Sequence, residues 1–184
     1  MKTELVRFLL VAALLVGGRE VFAFKEAGNH AYVQSGESGV FYARCIPETS
    51  KGTEGVTEVY RVRKEGDQLV DRYKWYTKHG LVLGWSPIAG KVGLLAIWKD
   101  EPTALDKQVE ISIYLGGKLL KSWTTAELQS LGAKVSRSVY GGERAEFSIV
   151  GCEQIPGTNE YVWVLNLDGK KVSFDILTGN EYRK

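Results

Sequence analysis

The stretch that decides the fold is Leu81–Pro102, which reads LVLGWSPIAGKVGLLAIWKDEP. It contains a short apolar strand, a turn that runs from Ser86 to Gly90, a longer apolar strand, and a closing proline. Proline lacks a backbone N–H and cannot continue a strand inside a sheet, whereas glycine accepts the backbone of a tight turn. The stretch therefore predicts an antiparallel hairpin.

The same pattern occurs twice more, as HAYVQSGESGVFYARCIP at His30–Pro47 and as KVSRSVYGGERAEFSIVGCEQIP at Lys134–Pro156. The serines that end the first strands are Ser35, Ser86 and Ser138, spaced by 51 and 52 residues. The closing prolines are Pro47, Pro102 and Pro156, spaced by 55 and 54 residues. Because the chain has only 4 prolines, three of them in one equivalent place indicate a repeat.

A second hairpin follows each copy. The second hairpins begin near Glu58, Glu110 and Glu160, spaced by 52 and 50 residues, and turn at Glu65-Gly66-Asp67, Gly116-Gly117 and Asp168-Gly169. Gly-Gly and Asp-Gly favour hairpins because they tolerate the positive φ of turns that match strand twist. The sequence thus predicts an all-β fold of three repeated four-stranded antiparallel units, at about 30–76, 81–123 and 134–179. The alternative is three unrelated pairs of hairpins in a sandwich.

One short helix is expected between the second and third units. Thr124 is followed three residues later by Glu127, the spacing of a capping box, and Gly132 is a natural stop. Trp123 and Leu128 stand at the positions of a hydrophobic staple. The pattern predicts a helix of two turns over 125–131.

Units of four strands that repeat every 40 to 50 residues are typical of propeller blades. Ser86-Pro87-Ile88-Ala89-Gly90 resembles the "SPDG" turn of WD40 and TolB-type β-propellers, and the stretch 174–179, FDILTG, resembles their blade-ending "D-x-x-TG". The resemblance covers all three units and extends to uncharacterised secreted bacterial proteins. It implies propeller-blade-like sheets and no particular activity.

Three blades can close into a compact three-sided body, remain an open arc, or complete a ring by dimerising. An open arc would leave apolar sheet faces in water. We therefore expect the compact three-sheet monomer.

The N-terminus has the features of a secretory signal peptide. Lys2 and Arg7 precede an uncharged apolar run from Phe8 to Val16, and Val21 and Ala23 are small residues three positions and one position before a cut after Ala23; a cut after Gly18 is the alternative. The run is far shorter than the roughly 20 residues of a membrane span. We expect residues 1–23 to be removed and 24–184 to form one secreted or periplasmic domain.

Composition and residue spacing exclude several classes of function. The chain is 44% apolar and 25% charged with a formal net charge of +2, which suits a globular protein and gives no basic field for nucleic acid. His30 and His79 lie 49 residues apart without other ligands at suitable spacing, so neither zinc nor another cofactor is expected. Gly84-Trp85-Ser86-Pro87-Ile88 lacks the second glycine of a nucleophile elbow.

Cys45 and Cys152 lie near the ends of equivalent strands in the first and third units. If the three sheets close on themselves, these units are neighbours and a disulfide could fasten the ring. The distance between adjacent sheets, about 10 Å, argues against a bond that needs Cα atoms within about 7 Å. Both outcomes stay open.

Aromatic residues are the remaining candidates for binding, with Trp75, Tyr76 and Trp85 grouped near the first unit junction. If Trp75 and Tyr76 both lie in a strand, they point to opposite faces and at most one is core. The sequence favours an exported, non-enzymatic module that binds a protein, peptide or glycan through blade loops. The alternative is a secreted hydrolase whose carboxylates, such as Asp100 and Glu101, converge in a central cleft.

Overall fold

Three four-stranded antiparallel sheets follow one another along the chain in the computed structural model, with a fourth, two-stranded sheet between the second and third. The structure describes residues 28–36, 38–98, 107–137 and 142–183. The expected signal peptide, residues 1–23, lies outside the described residues.

The strands of each four-stranded sheet lie side by side in chain order. The first sheet comprises β1 (Tyr32–Ser35), β2 (Phe41–Pro47), β3 (Gly55–Arg61) and β4 (Gln68–Tyr73). The second sheet comprises β5 (Leu81–Ser86), β6 (Lys91–Ile97), β7 (Val109–Leu115) and β8 (Lys118–Thr124). Helix α1 (Thr125–Leu131) follows, and then the small sheet of β9 (Lys134–Arg137) and β10 (Glu143–Glu146). The third sheet comprises β11 (Ser148–Gln154), β12 (Tyr161–Leu167), β13 (Lys170–Asp175) and β14 (Glu181–Tyr182).

The two tight hairpin turns are where the sequence predicts them. Gly116 and Gly117 have φ of 53° and 81° between β7 and β8, and Asp168 and Gly169 have φ of 50° and 86° between β12 and β13. Positive φ at both central residues gives a turn whose twist matches that of the strands. The prediction of antiparallel hairpins at these places is confirmed.

Helix α1 is also confirmed. The Thr124 side chain accepts from the Glu127 amide, and the Glu127 carboxylate accepts from the Thr124 amide at 2.8 Å, which completes the capping box. Gly132 ends the helix in the left-handed conformation, with φ of 117°.

The second sheet lies between the other two and is buried on both faces. On β6, Val92, Leu94 and Ala96 pack with the first sheet in what we call the first core. Leu95 and Ile97 point the other way and pack with the third sheet in the second core. Alternate residues of a strand point to opposite faces, so the nearly continuous apolar run of β6 is what a central layer requires.

The prediction of three repeated units is wrong for the third unit, because four sheets are present. The expected strand through Ala145 breaks at Phe147, so that β10 pairs with β9 and β11 begins the third sheet. The Ala145 amide donates to the buried carboxylate of Glu110 at 3.1 Å instead of to a strand of the third sheet. The short strand β14 supplies the fourth strand of the third sheet.

The serines and prolines that indicated the repeat occupy equivalent places in only part of the structure. Ser35 and Ser86 are the last residues of β1 and β5, which are equivalent places in the first two sheets. Pro47 is the last residue of β2, and Pro156 comes two residues after β11. Ser138 and Pro102 lie outside the described residues.

The expected closed three-sheet body is wrong, because the sheets form no closed propeller. The first core joins the first and second sheets, and the second core joins the second and third. Cys45 belongs to the first core and Cys152 packs against the second, and no disulfide joins them. The second sheet, which lies between the two cores, keeps these thiols apart.

The outer face of the first sheet carries a charged and aromatic network. The Glu58 carboxylate accepts from Arg44 at 2.8 Å and from the Tyr60 hydroxyl at 2.9 Å, and Arg72 lies 3.6 Å away. Tyr42 stacks on Tyr60 with ring centroids 5.2 Å apart. The Glu58 carboxylate is thus held by two arginines and a tyrosine hydroxyl on one face of the first sheet.

This network predicts a pH dependence. The hydrogen bond from Tyr60 and the charges of Arg44 and Arg72 outweigh partial burial and hold the pKa of Glu58 below its ordinary range. The stabilisation is therefore full above the ordinary pKa and is lost as the pH falls through the lowered, folded-state pKa. We expect the difference in urea midpoint between the wild type and Glu58→Gln to shrink from about pH 5 to about pH 3. Glu65→Gln, in an exposed turn, is the control, and a difference that stays constant with pH would contradict the assignment.

Candidate functional site

A cavity of about 350 Å³ lies where the first and third sheets approach each other beside β5. The first sheet and its β1–β2 turn contribute Gly36, Ser38, Val40, Phe41 and Arg61 to its wall. The second sheet contributes Leu83, Gly84 and Trp85 of β5, and the third contributes Cys152 and Tyr161. Strand β5 contacts β1, β2, β11 and β12, so the stacking of all three sheets creates the cavity.

One wall is aromatic. Phe41 and Trp85 stack with ring centroids 5.3 Å apart and an angle of 16° between planes. Phe41 is the first residue of β2 and Trp85 the fifth of β5, so the stack bridges the first and second sheets. Phe41 is buried and Trp85 is half-buried, which leaves part of the indole available to the cavity.

Arg61 is the charged residue of the described lining. It lies opposite Phe41 in the β2–β3 register, and its guanidinium carbon lies 5.8 Å from the centroid of the Phe41 ring. The described residues provide no ion-pair partner for Arg61. The site therefore presents a positive charge held over an aromatic ring, with no acidic group of the described chain neutralising it.

The opposite wall comes from the third sheet. Cys152 of β11 lies against Gly84, because a Cβ built on Gly84 would come within 2.7 Å of the Cys152 sulfur. Tyr161, the first residue of β12, is half-buried beside it. The missing side chain at Gly84 lets the third sheet approach β5 closely enough to close the cavity on this side.

The two thiols should differ in reactivity. Cys45 is completely buried, and burial raises the pKa of its thiol, although hydrogen bonds from Tyr32 and Thr57 lower it. Cys152 is half-buried and lines the cavity. Since the thiolate is the nucleophile, we expect iodoacetamide to modify Cys152 in the native protein and Cys45 at least about tenfold more slowly. Mass spectrometry of the modified peptides measures both rates, and two thiols should titrate in the denatured, unreduced protein. Equal native rates, or no titratable thiol, would contradict this assignment.

The three aromatic candidates do not form one site. Trp85 lines the cavity, whereas Tyr76 is fully buried in the first core with its hydroxyl donating to the His30 carbonyl at 2.9 Å. Trp75 packs against Trp98 and Tyr114 at 5.1 and 5.3 Å. The condition that Trp75 and Tyr76 both lie in a strand is not met, because β4 ends at Tyr73. Both side chains pack on the same core.

Sequence reasoning missed Phe41, Arg61 and Tyr161. These residues lie in two different sheets, and only the stacking of the sheets brings them together. Cys152 was recognised, but as a partner for Cys45 and not as part of a cavity wall. A weak signal exists for Arg61, which is a basic residue at the end of a strand rather than in a turn.

The described residues place no three His, Cys, Asp or Glu side chains together in a way that could hold a metal ion. Asp100 and Glu101 lie outside the described residues, so the hydrolase alternative stays a prediction. No helix in the described part of the chain has the length and apolar character that crossing a membrane requires.

Comparison with known proteins identifies no relative: no family model, curated protein or solved structure matches this chain.

Proposed function

We propose that this chain is an exported, non-enzymatic binding module whose ligand lies in the cavity beside β5. The observation that carries the proposal is the Arg61 guanidinium beside the wall formed by Phe41 and Trp85, which has no ion-pair partner among the described residues. A ligand with one anionic group and an apolar or aromatic group would satisfy both features. The volume of about 350 Å³ falls in the range of small-ligand sites.

The lining favours a peptide or protein segment over a glycan. Sugar rings bring many hydroxyl groups and need matching polar side chains, whereas the described lining offers the side chains of Ser38, Arg61 and Tyr161. The rest of the lining consists of Leu83, Val40, the aromatic wall, Cys152 and glycines. Apolar side chains of a peptide, with one acidic group at Arg61, fit this composition.

One sequence feature and one structural feature support the wider proposal. The charged start, apolar run and Val21-Phe22-Ala23 ending favour export from the cytoplasm. Consecutive four-stranded antiparallel sheets stacked face to face support the likeness to propeller blades. Loops and strand ends on such rigid sheets are common positions for binding residues.

A thermal-shift screen tests the proposal with three probe sets, namely aromatic carboxylates such as 3-phenylpropionate, acidic peptides and oligosaccharides. A ligand at one hundred times its Kd stabilises the native state by about 2.7 kcal/mol, which is readily measured as a rise in Tm. We expect Arg61→Gln to abolish the rise, and Arg63→Gln, an exposed arginine outside the cavity wall, to keep it. If no probe stabilises the wild type more than Arg61→Gln, the proposal is wrong.

A further inference from the structure

Among the described residues, strand β5 lies at the edge of the second sheet, beside the cavity. It has β6 as its partner in the sheet, and Leu83, Gly84 and Trp85 line the cavity. An edge strand presents unpaired N–H and C=O groups to whatever lies beside it. These groups are therefore candidates for contact with a ligand.

The register identifies which backbone groups they are. The Ile97 amide donates to the Gly80 carbonyl at 3.1 Å, so these two residues form a hydrogen-bonded pair. Hydrogen-bonded and non-hydrogen-bonded pairs alternate along an antiparallel ladder, which makes Gly84↔Gly93 hydrogen-bonded and leaves Leu83 and Trp85 in non-hydrogen-bonded pairs. The N–H and C=O groups of Leu83 and Trp85 therefore point away from β6.

This edge lacks the usual protection against pairing. Natural edge strands carry charged residues, prolines or bulges that discourage a further strand. Strand β5 reads LVLGWS without a charged residue or proline, and its pairing with β6 runs without a register shift.

We propose that the ligand is an extended peptide that adds as a strand to the free edge of β5 and places an acidic group on Arg61. The inference rests on the proposed function and names the ligand class of the same site. Backbone hydrogen bonds to Leu83 and Trp85 supply binding independent of sequence, and Arg61 with the Phe41–Trp85 wall supplies selectivity.

The probe is a synthetic library of hexapeptides, acetylated and amidated at their ends, with aspartate fixed at one position and the others varied. Binders retained by the wild type and not by Arg61→Gln are resynthesised with a fluorophore, and fluorescence anisotropy measures their affinities. Each is then N-methylated at one backbone amide at a time. In a bound strand, only alternate amides face β5.

We expect N-methylation at alternate positions to weaken binding at least tenfold and the intervening positions, which are the matched controls, to change it less than threefold. Replacing aspartate by asparagine should weaken binding to the wild type at least tenfold and have little effect on binding to Arg61→Gln. The absence of any Arg61-dependent peptide, or N-methyl effects without a period of two, would overturn strand addition. A thermal shift with 3-phenylpropionate that depends on Arg61 would still support the proposed function, so the two failures are distinguishable.

Discussion

Gly84→Ala and Gly93→Ala should each destabilise the protein by about 1 to 3 kcal/mol, because neither position has room for a methyl group. A Cβ on Gly84 would lie 2.7 Å from the outer ring of Trp163, and a Cβ on Gly93 would lie 2.6 Å from the Ile176 side chain. The two glycines face each other across β5 and β6, and neither has a positive φ. They form a notch into which the fully buried Trp163 of the third sheet packs.

Double-mutant cycles separate this close contact from a general loss of strand propensity. Trp163→Phe shortens the ring that meets Gly84, and Ile176→Val removes the methyl group that meets Gly93. The indole N–H of Trp163 is buried without a partner among the described residues, so Trp163→Phe loses no hydrogen bond. We expect each pair to be about 1 kcal/mol or more stable than the sum of its single variants, measured by urea unfolding. If the destabilisation of each double variant equals the sum of its two single variants, the close contacts of Gly84 and Gly93 with the third sheet would be contradicted.

Glu110→Ala should destabilise the fold by about 2 to 4 kcal/mol, since it removes an acceptor shared by three buried groups. The fully buried Glu110 carboxylate accepts from the Thr125 hydroxyl at 2.6 Å, the Ala145 amide at 3.1 Å and Gln108 at 3.3 Å. These contacts connect β7 with helix α1 and with β10. Removing the carboxylate takes away the buried acceptor of the Thr125 hydroxyl and of the Ala145 amide.

Glu153→Ala is the matched control, because it removes the same side chain from an exposed ion pair with Lys171 and should cost less than about 1 kcal/mol. Hydrogen exchange adds a local measurement: the Ala145 amide should exchange faster in Glu110→Ala than in the wild type. If Glu110→Ala is as stable as Glu153→Ala, the carboxylate does not hold β10 in place. Unchanged hydrogen exchange at the Ala145 amide would lead to the same conclusion.

The features that the sequence predicts correctly are local. The turns at Gly116-Gly117 and Asp168-Gly169 depend on positive φ at adjacent residues, and the Thr124–Glu127 capping box spans three residues. Each is encoded within a few positions of the chain. The antiparallel hairpins and the helix are therefore predictable from sequence alone.

The third unit was predicted wrongly because its break depends on a long-range contact. The segment 143–154 has the pattern of one continuous strand, but Glu110, 35 residues earlier, binds the Ala145 amide. Similarly, no local pattern indicates that Gly84 and Gly93 make room for Trp163. These contacts become visible only when the sheets are stacked.

The candidate site also combines residues that the sequence suggests with residues that only long-range packing brings together. Trp85 was identified as one of three aromatic residues grouped near the first unit junction, whereas Arg61 and Tyr161 acquire their place only where the first and third sheets meet. The sequence left the Cys45–Cys152 bond open because the bond depended on ring closure; the structure has both cysteines as free thiols, and the second sheet lies between the two cores. Residue type suggested candidates, and packing decided which of them share a cavity.

The most direct test of the binding proposal is the rate at which iodoacetamide modifies Cys152 in the native protein, with and without a ligand identified in the thermal-shift screen. Cys152 lines the cavity, whereas Cys45 lies in the first core. The rate at which Cys45 is modified therefore measures unfolding of the core and serves as the internal control. We predict that a saturating ligand slows the modification of Cys152 at least about tenfold in the wild type and has no effect in Arg61→Gln. A ligand that binds and raises Tm while Cys152 reacts at its unliganded rate would place the binding site elsewhere and contradict the account.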